Sequence, residues 1–343
     1  HNLARSAYGI TMFATQTPLR ILSASHIIKT PLPPVDWIVK PVVAAQERFL
    51  LYGEYGALKS WVLLHLGLHI AAGHKWLDTF DVPKPRSVLY VDEEMTEYTL
   101  RLRVKQLVAG ANLATDDLPF YVSSREGVLL TEQGGSILLD RVRRAECKPE
   151  VIVLDSMRAT LVGDENKQVD IIAFWRAIEP ILKAGITVMV AHHMRKPRME
   201  GPADVRHRAS GTPAIVSGSD AAWALTRVND TTGTMQAIRI RLAAEPKPFS
   251  VEFTFPPLSD ETGPVSACLG LPPEEARQGG QAVIILLDTL EVGSKTSGEL
   301  EAACKAQGVS HMTFYRALQT LERQGRIQKD GHLGSWSLAD PTV

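Results

Sequence analysis

Lys59 and Ser60 stand behind a glycine-bearing stretch, Gly53-Glu54-Tyr55-Gly56-Ala57-Leu58, which follows the apolar run Phe49-Leu50-Leu51-Tyr52. Strand, glycine loop, then helix, with Lys and Ser at the helix start, is the order a phosphate cradle requires. Main-chain N–H groups and the positive end of the helix receive phosphate oxygens, the lysine reaches the outer phosphates, and the hydroxyl ligates Mg2+. The candidate nucleotide-contact segment is therefore Gly53, Glu54, Tyr55, Gly56, Ala57, Leu58, Lys59, Ser60 and Trp61. Leu58 occupies the place of the motif's second glycine. A leucine held in right-handed helical dihedrals would point away from the phosphates, so binding is expected to survive and the speed of hydrolysis is left open. A glycine-rich turn with no ligand is the alternative for this stretch read alone.

Acidic groups at strand ends supply the second half of such a site. Val151-Ile152-Val153-Leu154-Asp155 is an apolar, β-branched run ending in a carboxylate, which can hold Mg2+ opposite the Ser60 hydroxyl. A simple strand-end cap is the other reading of Asp155. Asp92-Glu93-Glu94 closes a second such run, Ser87 to Val91. It offers a base that can orient an attacking water, or merely negative charge for the next helix N-terminus. His192 and His193 end a third run; with no third ligand at zinc spacing, a plain polar role is favoured over a metal pair. Beyond them Arg195, Lys196, Arg198, Arg206 and Arg208 outweigh Glu200 and Asp204 in a Pro- and Gly-punctuated loop. That excess suits a nucleic-acid backbone, and equally a solvated charged loop.

Strands alternating with helices must position these groups. Strands are expected at 87–94, 120–123, 151–156 and 186–193, and helices at 98–110, 136–146 and 170–185. That alternation predicts an α/β fold with a mostly parallel central sheet covered on both faces. Three further strands, read in AAWALTRV, MQAIRIRLA and FSVEFTF, come almost without helix and suggest antiparallel additions at one edge. The expected organisation is an N-terminal extension and lead-in over 1–40, a nucleotide-binding domain over 41–255, a Pro/Gly-rich linker over 256–280, and a small domain over 281–343. In that last segment three amphipathic helices precede a hairpin turning at Asp330-Gly331, the pattern of a winged helix-turn-helix. Its third helix offers Thr313, Tyr315, Arg316 and Gln319 to a major groove. Six basic against seven acidic residues lack the usual basic footprint, so protein contact is as good an expectation as DNA contact.

Composition excludes several classes. At 45% apolar and 22% charged the 343-residue chain reads as globular, not disordered. Three distant cysteines, Cys147, Cys268 and Cys304, make no disulfide framework, and no run is apolar enough for a membrane span. A cytoplasmic protein without membrane partners is the expectation. A net charge of −1 argues against a surface that binds nucleic acid all over.

Several segments resemble a known group. Glu94-Met95-Thr96 resembles the strand-end glutamate of RecA-type ATPases and the Glu-Met-Ser step of DnaB-type helicases. LDSMRATLVGDEN (154–166) resembles the metal-binding strand end and loop of plasmid RepA-type replicative helicases and the related AAA_25 ATPases. VMVAHHMRK (188–196) is similar to their His-His segment, and RASGTPAIVSGSDAAWALTR (208–227) to the Ser-Gly-x-x-x-Ile…Asp-Ala segment of the DnaB-like group. The resemblance implies a RecA-like P-loop core using ATP and Mg2+ and assembled as a homo-oligomer, a hexameric ring acting on single-stranded DNA. It implies Glu94 as the water-orienting base with Glu93 second, and His193 or His192 as the γ-phosphate sensor. An arginine supplied from the neighbouring subunit is also implied; Arg227 is the first candidate, Arg239 and Arg241 the others, with only a loose match around them. A replicative DNA helicase of a plasmid, phage or mobile element is the leading expectation. An ATP-switched DNA-binding regulator without helicase activity is the runner-up, and a nucleotide binder that does not cycle is the third.

Overall fold

The computed structural model describes residues 20–193, 212–257, 259–270, 273–323, 326–329 and 335–339. Arg195, Lys196, Arg198, Arg206 and Arg208 lie outside the described residues, as does the Asp330-Gly331 turn. The chain divides into a short unit up to Val35 and a large one from Asp36 onward. The short unit contains α1 (Ala24–Lys29), capped by Ser23, whose hydroxyl accepts from the His26 N–H. None of the helix's own residues is buried.

The large unit begins with a two-stranded antiparallel ribbon, β1 (Trp37–Val39) and β2 (Val43–Ala44). Then follow β3 (Arg48–Gly53), α2 (Lys59–Ala72), β4 (Val88–Asp92), α3 (Glu97–Gly110), β5 (Phe120–Ser124), α4 (Gly134–Arg144) and β6 (Val151–Asp155). Next come α5 (Met157–Thr160), α6 (Gln168–Lys183), β7 (Thr187–His193), α7 (Ala214–Ser217), β8 (Ala221–Arg227), β9 (Thr232–Ile240), β10 (Phe249–Thr254) and β11 (Ser266–Leu269). Nine strands form one sheet in the order β11-β10-β9-β8-β3-β7-β6-β4-β5. The six from β8 to β5 are parallel, and β9, β10 and β11 extend the β8 edge antiparallel.

Both faces of this sheet are covered, and the side-chain period of two sorts residues between them. Phe49, Leu51, Val88, Tyr90, Val151 and Val153 enter one core with α2 and α3, while Leu50, Tyr52, Leu89, Val91, Ile152 and Leu154 enter the other with α4 and α6. Helix α2 is apolar on nearly every side and accordingly buried along most of its length. Among the described residues no helix is long and apolar enough to cross a membrane.

The remaining elements are α8 (Pro273–Glu291), β12 (Lys295–Thr296), α9 (Ser297–Ala306), α10 (His311–Arg323), β13 (Ile327–Lys329) and β14 (Ser335–Leu338). The three strands form a small sheet in the order β12-β14-β13, and a separate core of Leu286, Leu300, Phe314, Leu321, Ile327 and Trp336 joins it to the helices. A capping box between Thr296 and Glu299 starts α9, and the Ser310 hydroxyl accepts from the Thr313 N–H to start α10. Two expectations change here. The stretch read as a linker over 256–280 carries β11, paired along β10, and the first turns of α8. Thr313 is buried as part of its cap, so its side chain is withdrawn from any surface contact, whereas Tyr315, Arg316 and Gln319 are exposed.

Candidate active site

In a mostly parallel sheet the carboxyl ends of neighbouring strands converge on one edge, and ligands bind where successive connections leave in opposite directions. Strands β3, β7, β6 and β4 are consecutive neighbours, and their ends carry Gly53, His193, Asp155 and Asp92. Gly53 is the register partner of His193, and Asp92 that of Asp155. Segments far apart in the chain thus meet on one edge of the sheet.

The loop from Gly53 to Leu58 is shaped by contacts that demand its glycines. A Cβ on Gly53 would come within 2.5 Å of the Leu225 carbonyl oxygen, and Gly56 has φ of +74°. Leu58 shares the left-handed region, with φ 64° and ψ 14°. This corrects the expectation of helical dihedrals: the leucine adopts the backbone that a motif glycine would adopt, at a strain of about 1–2 kcal/mol, and its side chain packs at the margin of the core beside α2. The first intrahelical bond runs from the Val62 N–H to the Leu58 carbonyl, so the N–H groups of Lys59, Ser60 and Trp61 have no partner within the helix. Lys59 is 8% exposed and its ammonium donates to the carbonyls of Gly53 and Glu54 at 3.0 and 2.8 Å. Burial draws its pKa down to about 8, opposed by the negative charges of Asp155, Glu94 and Glu54.

Opposite the loop, the carboxylates are held by identifiable partners. Asp155 is 5% exposed; the Tyr90 hydroxyl donates to its Oδ2 at 2.6 Å, and the Ser60 side chain hydrogen-bonds it as well. Burial raises its pKa against the pull of those two bonds. Asp92 accepts the N–H groups of Glu94 and Met95 on Oδ1 at 2.8 and 2.5 Å, and its buried Oδ2 has no hydrogen-bond partner among the described residues. Burial and the neighbouring Asp155 charge push Asp92 up to about 6. A hydroxyl and a buried carboxylate meeting beside a second carboxylate with an unused oxygen form an oxygen donor set that suits a hydrated divalent cation, with the Lys59 ammonium left for the phosphates. The residues present therefore fit a Mg2+-nucleotide: Ser60 and Asp155 would hold the ion, and the loop N–H groups with Lys59 the phosphates.

The two glutamates separate cleanly. Glu93 accepts the N–H groups of Gly127 and Val128, both at 3.0 Å, so its carboxylate ties down the loop after β5. Glu94 accepts from the Ser156 hydroxyl, its main-chain carbonyl is clamped by the Arg125 guanidinium, and its charge acts on Lys59, Asp155 and His193. Of the histidines, His192 is buried and His193 is partly exposed, with the ring of Tyr55 stacked on it at 6.2 Å. Burial and the Lys59 charge lower the His193 pKa, which favours a neutral imidazole beside the loop.

Other sequence candidates lie differently. The Trp61 ring turns sideways onto Phe255, at 5.1 Å, and Arg103, leaving only its main chain to the phosphates. Arg227 reaches over its own loop, its Nη1 3.2 Å from where a Gly56 Cβ would sit, and it pairs with Asp230. Arg239 and Arg241 belong to the far pole: Arg239 faces Ala222 near the start of β8, and Arg241 pairs with Asp220 at 3.2 Å. Sequence reasoning passed over Tyr90, Arg125 and Ser156. Tyr90 alone left a signal, as a hydroxyl inside an otherwise apolar strand.

A sequence profile of the AAA_25 family, described as an AAA domain, matches residues 15–199. That span includes the phosphate loop, Glu94, Asp155 and His193, and it ends before β8. No curated protein matches the chain. Among solved structures, the RadB recombinase is similar at 15% identity and a TM-score of 0.44, covering 65% of this chain and 91% of its own. Matched over more than half of its 343 residues, the chain belongs to the AAA_25 family of AAA domains and is a P-loop NTPase.

Proposed function

We propose that this protein is an ATP-hydrolysing oligomeric motor acting on single-stranded DNA, of the RepA-type replicative helicase kind. The observation that supports it most is the meeting of Lys59, Ser60, Asp155, Glu94 and His193 on one sheet edge. Each then has a role set by its chemistry. Lys59 and the loop N–H groups hold the phosphates, and Ser60 and Asp155 hold Mg2+. Bound there, Mg2+ neutralises charge on the phosphate oxygens. Glu94, kept in place by Ser156 and Arg125, accepts a hydrogen bond from the attacking water. His193 registers the outer phosphate, and the following segment with Arg195, Lys196, Arg198, Arg206 and Arg208 contacts the DNA backbone. Arg227, placed over its own loop, is the candidate cation for the transferring phosphoryl group from within the chain. A neighbour-supplied arginine would come from Arg239 or Arg241, on the pole away from the loop. Nucleotide then lies between subunits of a ring.

The domain that begins with α8 is read as a winged helix, with β13 and β14 as its wing. Its exposed Tyr315, Arg316 and Gln319, set in a domain without net positive charge, support docking to protein as well as to DNA. The second reading, an ATP-switched DNA-binding regulator, draws on that domain alone. Replacing the anchor tests the first reading. Lys59→Ala should lower ATP turnover at least about a hundredfold, as loss of a preorganised cation does, and should abolish strand displacement on a forked substrate. Wild-type turnover in that variant would refute the assignment. Wild-type protein that binds duplex sites specifically while displacing no strand would favour the regulator.

A further inference from the structure

Behind the metal-binding edge lies a layer that the chemistry above does not use. Tyr90 is fully buried between the sheet and helices α2 and α3, among Val88, Leu100 and Leu107. A buried phenol needs an acceptor, and the one it has is Asp155 Oδ2 at 2.6 Å. The terminal torsion of an aspartate is otherwise broad and nearly two-fold. The Tyr90 bond, together with the Ser60 side chain, therefore fixes which way the carboxylate faces.

Arg103 stands beside this pair. It is half-buried, its guanidinium carbon lies 4.6 Å over the Trp61 ring, and the charges of Asp155 and Asp92 act on it. The Trp61 ring is in turn braced by Phe255 at 5.1 Å and Phe253 at 6.3 Å. Stacking on an aromatic face seats a guanidinium without consuming its N–H donors. Two carboxylates in register at adjacent strand ends repel each other, and a cation held nearby opposes that repulsion. Trp61 immediately follows Ser60, so a single helical turn carries both the hydroxyl ligand and the seat of the arginine.

We propose that Tyr90, Arg103 and Trp61 form a positioning layer that aims the Asp155 carboxylate and sets the affinity of this site for Mg2+. The proposal rests on the reading of Ser60 and Asp155 as the metal-binding pair. None of the three side chains touches nucleotide or the reacting atoms; each acts through Asp155. Partners behind a metal ligand are worth about 10–100-fold in metal affinity, and the layer is assigned an effect in that range.

Equilibrium binding of a fluorescent ATP analogue to the full chain, titrated with Mg2+, reads this without turnover. Tyr90→Phe should raise the Mg2+ concentration for half-maximal binding roughly tenfold, with nucleotide affinity near wild type once Mg2+ saturates. Arg103→Gln should shift the same midpoint upward by a smaller factor, and Trp61→Phe, which keeps an aromatic face, should restore most of it relative to Trp61→Ala. Lys59→Ala separates the layers, since it should weaken binding at every Mg2+ concentration. Wild-type binding that depends on Mg2+ but is unmoved by Tyr90→Phe and Arg103→Gln overturns the positioning layer alone. Wild-type protein that binds no nucleotide overturns the reading beneath it. If Tyr90→Phe does not fold, the Arg103→Gln midpoint decides, because that side chain is partly exposed on a helix.

Discussion

The phosphate loop and the acidic edge face each other across a few ångströms of one site and are built on opposite principles. From Gly53 to Trp61 the working groups are largely main-chain N–H donors, set by backbone dihedrals and by the start of α2. From Asp92 to Ser156 they are side chains, each aimed by another side chain or by a neighbouring N–H. The first construction tolerates an unorthodox residue, because Leu58 adopts the same left-handed backbone as a glycine. The second tolerates little, because a carboxylate without its partners faces the wrong way or takes up a proton.

Exchanging the acidic side chains gives the largest expected effect. Glu94→Gln should lower ATP turnover by about 10²–10⁴-fold, the usual worth of a positioned acid or base, with nucleotide affinity nearly unchanged. Glu93→Gln should cost far less, since Glu93 is bonded to the N–H groups of Gly127 and Val128. Steady-state hydrolysis alongside equilibrium binding checks both, and a greater loss at Glu93 would reverse their roles.

The loop side should instead show itself through pH. Lys59 titrates near 8 because it is buried, so its ammonium is present below that pH and lost above it. Phosphate binding requires the ammonium and raises its pKa in the complex. Affinity should therefore hold steady up to about pH 8 and then fall by up to roughly tenfold per pH unit, one proton being taken up on binding. Binding constants at pH 7, 8 and 9 in Lys59 and Lys59→Ala proteins measure this; the variant should show no such slope.

The smallest effect distinguishes backbone from side chain at Leu58. Helix interiors favour alanine over glycine, but a left-handed position reverses that order. Leu58→Gly should be more stable than Leu58→Ala by about 1 kcal/mol, and both should bind nucleotide within a few-fold of wild type. Chemical denaturation of the two variants gives the answer, and an alanine variant at least as stable as glycine would show that Leu58 is unstrained.

The same contrast explains what could be read before the fold was seen. Buried parallel strands announce themselves as β-branched apolar runs, so β3, β4, β6 and β7 and the groups at their ends were legible. Loop spacing marks Lys59 and Ser60, and the end of an apolar strand downstream marks Asp155 as a candidate for the same edge. The resemblance at Glu94-Met95-Thr96 ranks Glu94 before Glu93, but the strand pattern alone does not, since the orientation of the two depends on the turn built by Asp92 and on N–H groups at 127 and 128. Strand β11 was hidden for a similar reason: a short run between prolines becomes a strand only by pairing with β10. Arg227 could be placed at the end of β8, but not that its side chain would fold back over Gly56.

That short strand also sets a leash. The Val265 N–H bonds the Gln106 carbonyl of α3, the Gln106 side chain donates to the Glu261 carbonyl, and the Gly110 Cα lies so close to Val265 that a Cβ would overlap its carbonyl. The chain is therefore moored to α3, the helix that opens just past Glu94, until Leu269. Only Gly270, Leu271 and Pro272 separate that mooring from Pro273 and α8. Four Cα steps reach no further than about 15 Å. The helical domain therefore begins within that reach of β11 and of the C-terminal half of α3, not at the end of a long linker.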